Sequence, residues 1–402
     1  MCSRKTEGDL SMRYSIATNW DIRLLDKLGG TSVEELYGQI WGDPLGGGRM
    51  ALFLPKVGKE EATAFITKAR KKGFRFSYLI NTTCLDNLEF TKEGYKKIVE
   101  HLEWISSTGA DRVMVSFPFL LQLVKKYFPD LKVCVSSFAR VLNVHQARYW
   151  DELGADKIVL PEAIARDFKT LRLIREGVSC ELEIIANHCC LFYCPLDLHH
   201  RNMVSHGSQG GHQCGGFAVD YCKLACQRMK LLRPSELIKS RWVRPEDVGC
   251  YEEVGIDCLK LVERFRETKS LIHIVDAYER RSYSGNLAEL LTLPREGNYM
   301  LPNLDIIKRP DLIEKEKMEE VLKVLREPLT DKLYIDNTKL KGFIDYFKGV
   351  DCLHTDCERC GYCEQVASRV ISIDEGWRKE MITKFDRATE ILLTGEIAAP
   401  PL

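Results

Sequence analysis

Apolar positions along the first 260 residues switch between two periods. Tyr95, Ile98, Val99, Leu102 and Ile105 form one stripe, with Lys96, Lys97, Glu100 and Glu103 off it, which is the spacing of a helix that turns one face to a core. A glycine follows such helices, then one or two small or acidic residues, then a short apolar run: GFRFSYLIN from Gly73, GADRVMVSF from Gly109, GADKIVLPE from Gly154 and GIDCLKLVE from Gly255, with a looser version at Gly29 and Gly30. Glycine ends a helix cheaply in the left-handed conformation and lets the chain turn directly into a strand. Eight strands are expected: Arg13 to Thr18, Val33 to Tyr37, Phe74 to Asn81, Arg112 to Phe117, Lys132 to Ser136, Lys157 to Leu160, Glu181 to Ala186 and Cys258 to Val262.

Eight strands alternating with helices predict an α/β fold, a TIM-like (β/α)8 barrel whose reactive face lies at the carboxyl ends of the strands; a doubly wound sheet is the alternative. The rhythm breaks after the seventh strand and returns only at Gly255, so a long insertion sits on that reactive face. The expected organisation is a barrel over residues 1–270 carrying a Cys/His-rich insertion at 188–250, then an extension over 271–402 with a cysteine-rich segment at 352–363. Glu314 to Arg326 and Glu375 to about Leu393 read as helices of the extension. On this reading a chain ending before Lys341 keeps its barrel.

Composition narrows the picture. A chain of 402 residues can bury a large core. Lys+Arg and Asp+Glu both number 58, so no global field favours RNA or an anionic membrane as partner, although an RNA substrate stays open. The first residues lack the apolar core of a signal peptide and no run is apolar enough to span a membrane, so a cytoplasmic protein is expected. In a reducing compartment, 16 cysteines argue for metal or cluster ligation rather than disulfides. Cys2, Cys84, Cys134, Cys180, Cys250 and Cys258 are scattered and read as small apolar packing residues.

The other cysteines fall in two sets. Asn187 to Cys226 contains Cys189, Cys190, Cys194, Cys214, Cys222 and Cys226 together with His188, His199, His200, His206 and His212. Two C-x3-C pairs, Cys190 with Cys194 and Cys222 with Cys226, supply the four thiolates of one cluster, with Cys214 in reserve. The competing reading is zinc held by Cys194, Cys214 and one or two of His199, His200, His206 and His212. Near the C-terminus, Cys352, Cys357, Cys360 and Cys363 form a second, locally complete set for an iron–sulfur cluster or a tetrahedral zinc. The run beginning at Cys190 starts like the C-x3-C-x2-C motif of radical S-adenosylmethionine enzymes, but Asp197 stands where the third thiolate belongs. No H-E-x-x-H or G-x-S-x-G motif is present.

At the strand ends, Asn81, Glu162 and Asn187 are the candidate catalytic residues, with Ser116, Ser136 and Ser137 adding to a polar lining. Gly46, Gly47 and Gly48 followed by Arg49 are the candidate substrate-binding run, in which backbone N–H groups and a cation receive a carboxylate or phosphate.

With ATNW near the start, GGGR at Gly46 to Arg49, YLINTTCL, AIARD around Arg166, ANHCCLFYCP, SRWVRPED, GIDCLKLVER and the terminal DCERCGYC, the chain resembles the collagenase-like family of peptidases, the thirty-second of the peptidase families of unknown catalytic type. The likeness runs from about residue 12 to 365. It implies a barrel and, in several members, a four-cysteine iron–sulfur centre. Members are linked to oxygen-independent hydroxylation in ubiquinone synthesis and of ribosomal and transfer RNA, with prephenate as oxygen source in some; others carry a collagenase label. The resulting expectation is an oxygen-sensitive redox or hydroxylating enzyme with a 4Fe-4S cluster, or two, on an unidentified substrate and served by an electron donor protein. A metal-dependent peptidase or hydrolase, and a non-catalytic electron-transfer or assembly partner, are the alternatives. The histidine-rich insertion and the added C-terminal cysteines depart from the family pattern.

Overall fold

The computed structural model describes residues 11–212, 218–264, 266–294 and 313–398. Eight parallel strands close into a barrel in chain order: β1 (Arg13–Ala17), β2 (Val33–Gly38), β3 (Arg75–Leu79), β4 (Arg112–Val115), β5 (Lys132–Val135), β6 (Lys157–Leu160), β7 (Glu181–Ile185) and β8 (Cys258–Leu261), with β8 pairing back on β1. All eight expected strands are present, and closure excludes the doubly wound alternative. Gly154 and Gly255, at φ +93° and +84°, make the left-handed turns that lead into β6 and β8.

The two faces of each strand have different jobs. Outward side chains such as Ile16, Leu36, Phe76 and Val113 pack under the helices. Inward side chains form layers. Ala17, Tyr37, Leu79, Met114, Cys134, Val159 and Ile185, one from each of β1 to β7, make an apolar layer just below the mouth. One step deeper, two residues earlier on the strands, the layer is charged: Lys157 reaches Glu35 at 3.1 Å and Glu183 at 3.5 Å, Lys260 reaches Glu183 at 3.4 Å, and Arg112 pairs with Glu35. Buried charges survive because each is paired there.

The barrel extends further than residue 270. Helix Thr268–Glu279 packs against helix Ile22–Lys27, and its Tyr278 O accepts a hydrogen bond from Tyr14 Oη at 3.0 Å, so this helix closes the wall behind β8.

The remainder of the described extension is not a separable appendage. Phe343, Phe347 and Val366 belong to the same continuous core as the barrel helices. The guanidinium of buried Arg166 stacks on Trp242 at 4.1 Å, Phe343 at 4.7 Å and Phe347 at 5.1 Å, while donating to Trp242 O and Ile238 O. A chain ending before Lys341 lacks two of these three aromatic faces. The helices Lys315–Arg326 and Glu375–Leu393 form as expected and pack on each other and on insertion helix Tyr221–Leu232. Among the described residues, no helix is long and apolar enough to cross a membrane.

Candidate active site and cysteine centres

Two adjoining cavities, each of about 120 Å³, open above the apolar layer of the barrel. The inner one is lined by residues at the strand ends, including Asn81, Ser136, Glu162, Lys260 and Arg264, and by Arg201 of helix Asp197–His206. The outer one contains Cys190, Cys194, Cys222 and Cys226 together, so tertiary structure brings the two C-x3-C pairs to a single chamber. Arg49, His188, Cys190, His200, Val204 and Glu263 line both.

Cys190 and Cys194 lie on the segment that leaves β7. Cys222 and Cys226 lie on helix Tyr221–Leu232, capped by Asp220, whose side chain accepts from Lys223 N. Four-residue spacing puts Cys222, Cys226 and Lys230 on one helix face. Lys230 is buried and donates to Cys189 O. Burial disfavours its ammonium, but the neighbouring Cys226, Cys189 and Cys190 outweigh that and raise its pKa. The thiols are pushed the other way. Burial raises Cys190 well above its ordinary value, helped by Glu162 and Cys226, and pushes Cys222 up to about 12. Burial therefore disfavours the thiolate forms of Cys190 and Cys222, a cost that a multivalent cation among the sulfurs would offset, with buried Lys230 beside them.

The donor set fits an iron–sulfur cluster. A tetrahedral zinc with Zn–S near 2.3 Å would draw its sulfurs to within about 3.8 Å of one another. Among the described residues, the groups whose donor atoms all lie within 4.8 Å are Cys84 with Asp86 and His206, and Glu162 with His188 and Cys190. Neither cysteine quartet is among these groups; four thiols lining one chamber are the donor type a cluster uses.

The inner cavity mixes apolar walls with charged groups: Arg49, Arg201, Lys260 and Arg264 face Glu162, Asp197 and Glu263. Glu162 is buried; Arg201 approaches its Oε1 at 3.3 Å and His188 at 3.7 Å. Burial opposes its charge, but Arg201 and His188 hold its pKa far below the usual carboxylate range. Its Oε2 is shielded from solvent and has no hydrogen-bond partner among the described residues. Arg49 pairs with Glu263 at 3.3 Å, and Glu263 sits at φ +136°, a conformation that side-chain-bearing residues seldom adopt. Lys260 Nζ lies 3.5 Å from the centre of the Tyr37 ring.

Several candidates take different roles from those expected. Asn187 is fully buried: its Nδ2 donates to Val262 O and Leu290 O, and its Oδ1 accepts from Val262 N. It joins the end of β8 to the segment after the barrel, and no group of its side chain is left for a substrate. Asn81 lines the inner cavity, but its Oδ1 accepts from Gly48 N at 3.1 Å and its Nδ2 donates to Ser136 Oγ at 2.8 Å. The glycine run is likewise occupied: Gly46 N donates to Asp43 and Gly47 N to Ser208. A Cβ at Gly47 would stand 1.8 Å from Gln39 Oε1, so close packing explains this glycine. The expected anion cradle reduces to Arg49.

Of the mixed zinc set, Cys194 and His200 line the outer chamber together. His200 pairs with Asp220 at 3.3 Å in the outer chamber, whereas His206 and His212 face Asp86 elsewhere. Cys214 and Cys2 lie outside the described residues. Lys223, Lys230, Arg201, Arg264 and Glu263 were not singled out from the sequence; the C-x3-C-x3-K spacing was the available signal for Lys230.

Cys352, Cys357, Cys360 and Cys363 line a third cavity, of about 800 Å³, with Phe192, Lys239, Arg241, Tyr346 and Phe347. Tyr346 Oη lies 2.9 Å from Cys360 Sγ. Arg241 stacks on Phe192 at 3.8 Å. Phe192 belongs to the segment between Cys190 and Cys194, so one short stretch of chain stands between the two cysteine cavities.

The model of the family described as Peptidase family U32 matches residues 54–283. An uncharacterized protease of Methanocaldococcus jannaschii is 29% identical over 333 residues, covering 82% of this chain and 86% of its own. A tRNA hydroxylation protein of Bacillus subtilis is 22% identical over 204 residues, 48% of this chain and 47% of its own. A tRNA hydroxylation protein of Escherichia coli is 25% identical over 100 residues, 24% of this chain and 22% of its own. The solved structure of the U32 peptidase Mk0906 superposes with a TM-score of 0.48 at 22% identity, covering 65% of this chain and 95% of that one.

Proposed function

The chain belongs to peptidase family U32, and from that premise we propose that it is an iron–sulfur barrel enzyme that hydroxylates its substrate without molecular oxygen. The observation that carries this reading is the single chamber lined by Cys190, Cys194, Cys222 and Cys226, sharing Cys190, His188 and Arg49 with the cavity at the strand ends. The names of the Bacillus subtilis and Escherichia coli relatives support hydroxylation, and RNA is the substrate class they suggest.

A cluster bound by the four cysteines supplies one-electron redox chemistry at the wall of the inner cavity. The chain's own residues do the rest. Arg49, Lys260 and Arg264 receive an anionic group, such as the carboxylate of an organic oxygen donor. Glu162, kept ionised by Arg201 and His188, offers its unpaired Oε2 as a hydrogen-bond acceptor that orients a substrate donor. Helix Asp197–His206 contributes Asp197, His200, Arg201 and Val204 to the inner cavity and restricts water there.

The test is anaerobic purification with iron, acid-labile sulfide and visible absorption measured together, and mass spectrometry of RNA nucleosides from cells with and without the gene. Cluster-like absorption and a nucleoside that loses one oxygen in the deletion strain are expected. Protein free of iron and sulfide after anaerobic purification would overturn the reading.

A second reading has one observation behind it. Glu162, His188 and Cys190 have donor atoms within 4.8 Å of one another, a set able to hold a single zinc for hydrolysis. Stoichiometric zinc lost on His188→Ala, together with peptide cleavage, would favour that peptidase over the hydroxylase.

A further inference from the structure

A different cluster of donors lies at the rim of the mouth, where the segment after β3 meets the end of helix Asp197–His206. Asp86 is its centre. Cys84 Sγ lies 3.5 Å from Asp86 Oδ1, His206 Nε2 lies 3.6 Å from the same oxygen, and His212 Nε2 lies 3.6 Å from Oδ2. The donor atoms of Cys84, Asp86 and His206 are all within 4.8 Å of one another. The imidazoles of His206 and His212 stack at 4.6 Å with 15° between their planes, so both present the same edge to the carboxylate.

Hydrogen bonds account for Cys84, whose Sγ donates to Asp86 Oδ1 and accepts from Asp86 N at 3.3 Å, but not for the approach of the imidazoles. At 3.6 Å the ring nitrogens are beyond hydrogen-bonding distance from the carboxylate they face. His206 Nε2 is also shielded from solvent and makes no hydrogen bond among the described residues. A tetrahedral ion with ligands at about 2.0 to 2.3 Å holds them about 3.3 to 3.8 Å apart, the range the three contacts to Asp86 already occupy; His212, which faces the other carboxylate oxygen, lies outside the 4.8 Å group and would move in to complete the set. One thiolate, one carboxylate and two imidazoles form a borderline-soft set, and the two anionic ligands neutralise a divalent ion.

We propose that Cys84, Asp86, His206 and His212 bind one zinc ion, which fastens the insertion to the β3 side of the barrel mouth. Four protein ligands leave no open position, the mark of a structural rather than a catalytic site. The two segments are already registered by hydrogen bonds from Thr83 N to Ser205 Oγ at 3.0 Å and from Gln209 Nε2 to Cys84 O at 2.7 Å. The metal would lock that register beneath helix Asp197–His206, which carries Arg201 to Glu162. The proposal does not depend on what occupies the chamber of Cys190.

The experiment counts zinc in the full chain and in Cys84→Ser, Asp86→Asn and His206→Gln, with Cys134→Ser as a control taken from the barrel interior. The other cysteines stay in place, so zinc elsewhere contributes equally throughout. Each of the three rim variants is expected to lose one equivalent of zinc with iron and sulfide unchanged, and zinc should raise the unfolding temperature of the parent but not of these variants. Cys134→Ser should behave like the parent. Rim variants that keep the parent's zinc overturn the site. If a variant fails to fold, cobalt titration of the parent and of the half-buried Cys84→Ser decides: thiolate-to-cobalt absorption that is the same in both overturns it as well.

Discussion

The cysteines of the barrel mouth and those of the C-terminal segment are equal in number and opposite in construction. Cys190, Cys194, Cys222 and Cys226 come from a strand end and a later helix, meet only when the insertion folds over the mouth, and share their chamber with buried Lys230. Cys352, Cys357, Cys360 and Cys363 lie within a dozen residues, line a larger cavity, and include the exposed Cys357. The first set depends on the whole fold for its existence and adjoins the inner cavity at the strand ends. The second is assembled by local sequence but is built against the barrel core through Arg166, Phe343 and Phe347. A locally complete ligand set can thus be structurally inseparable from the domain that supports it.

The largest expected effect tests whether the two sets are independent. Cys226→Ala should remove the barrel cluster's iron, sulfide and visible absorption and abolish activity, while Cys360→Ala should remove only the metal of the C-terminal set. Metal analysis of both variants checks this, and simultaneous loss from both sets in either variant breaks the distinction.

Structural dependence comes next. Phe343→Ala removes an aromatic face from Arg166 and a side chain from the main core, and should lower stability by about 3–5 kcal/mol. Denaturant unfolding of parent and variant measures it; a change below about 1 kcal/mol would make the C-terminal segment an appendage after all.

Thiol reactivity in metal-free protein sharpens the contrast in burial. Exposed Cys357 should be alkylated first. Burial pushes Cys363 up to about 11 and Cys222 up to about 12, so both are protonated at neutral pH. The thiolate is the reactive form, so the Cys222 rate should climb about tenfold per pH unit until the pH approaches that value. Peptide mapping after timed alkylation reads the order, and a Cys222 as fast as Cys357 at neutral pH would contradict it.

The smallest effect concerns the connection between chamber and substrate cavity. Arg49→Ala should weaken an anionic ligand about tenfold and leave the fold unchanged. Calorimetric titration with carboxylate and phosphate compounds checks this, and equal affinities would remove Arg49 from the site.

The sequence by itself determined the barrel, since the helix, glycine, strand rhythm is a local property: each apolar stripe must face a core and each αβ turn is set by its own residues. It also determined the two cysteine sets as ligand candidates, because soft donors at short spacing have little packing purpose. Only the tertiary structure decided which candidates meet. Asn187 and the glycine run have the composition of site residues, yet hydrogen bonds from distant segments consume their donors and acceptors. Cys84 has the isolation of a packing residue, yet the folded insertion sets Asp86, His206 and His212 around it. Local pattern fixes the conformation of a segment through short-range sterics and burial, whereas a site is a coincidence of side chains from separate segments, from the 36 positions between Cys190 and Cys226 to the 122 between Cys84 and His206, and that distance is closed only by the packing of the whole chain.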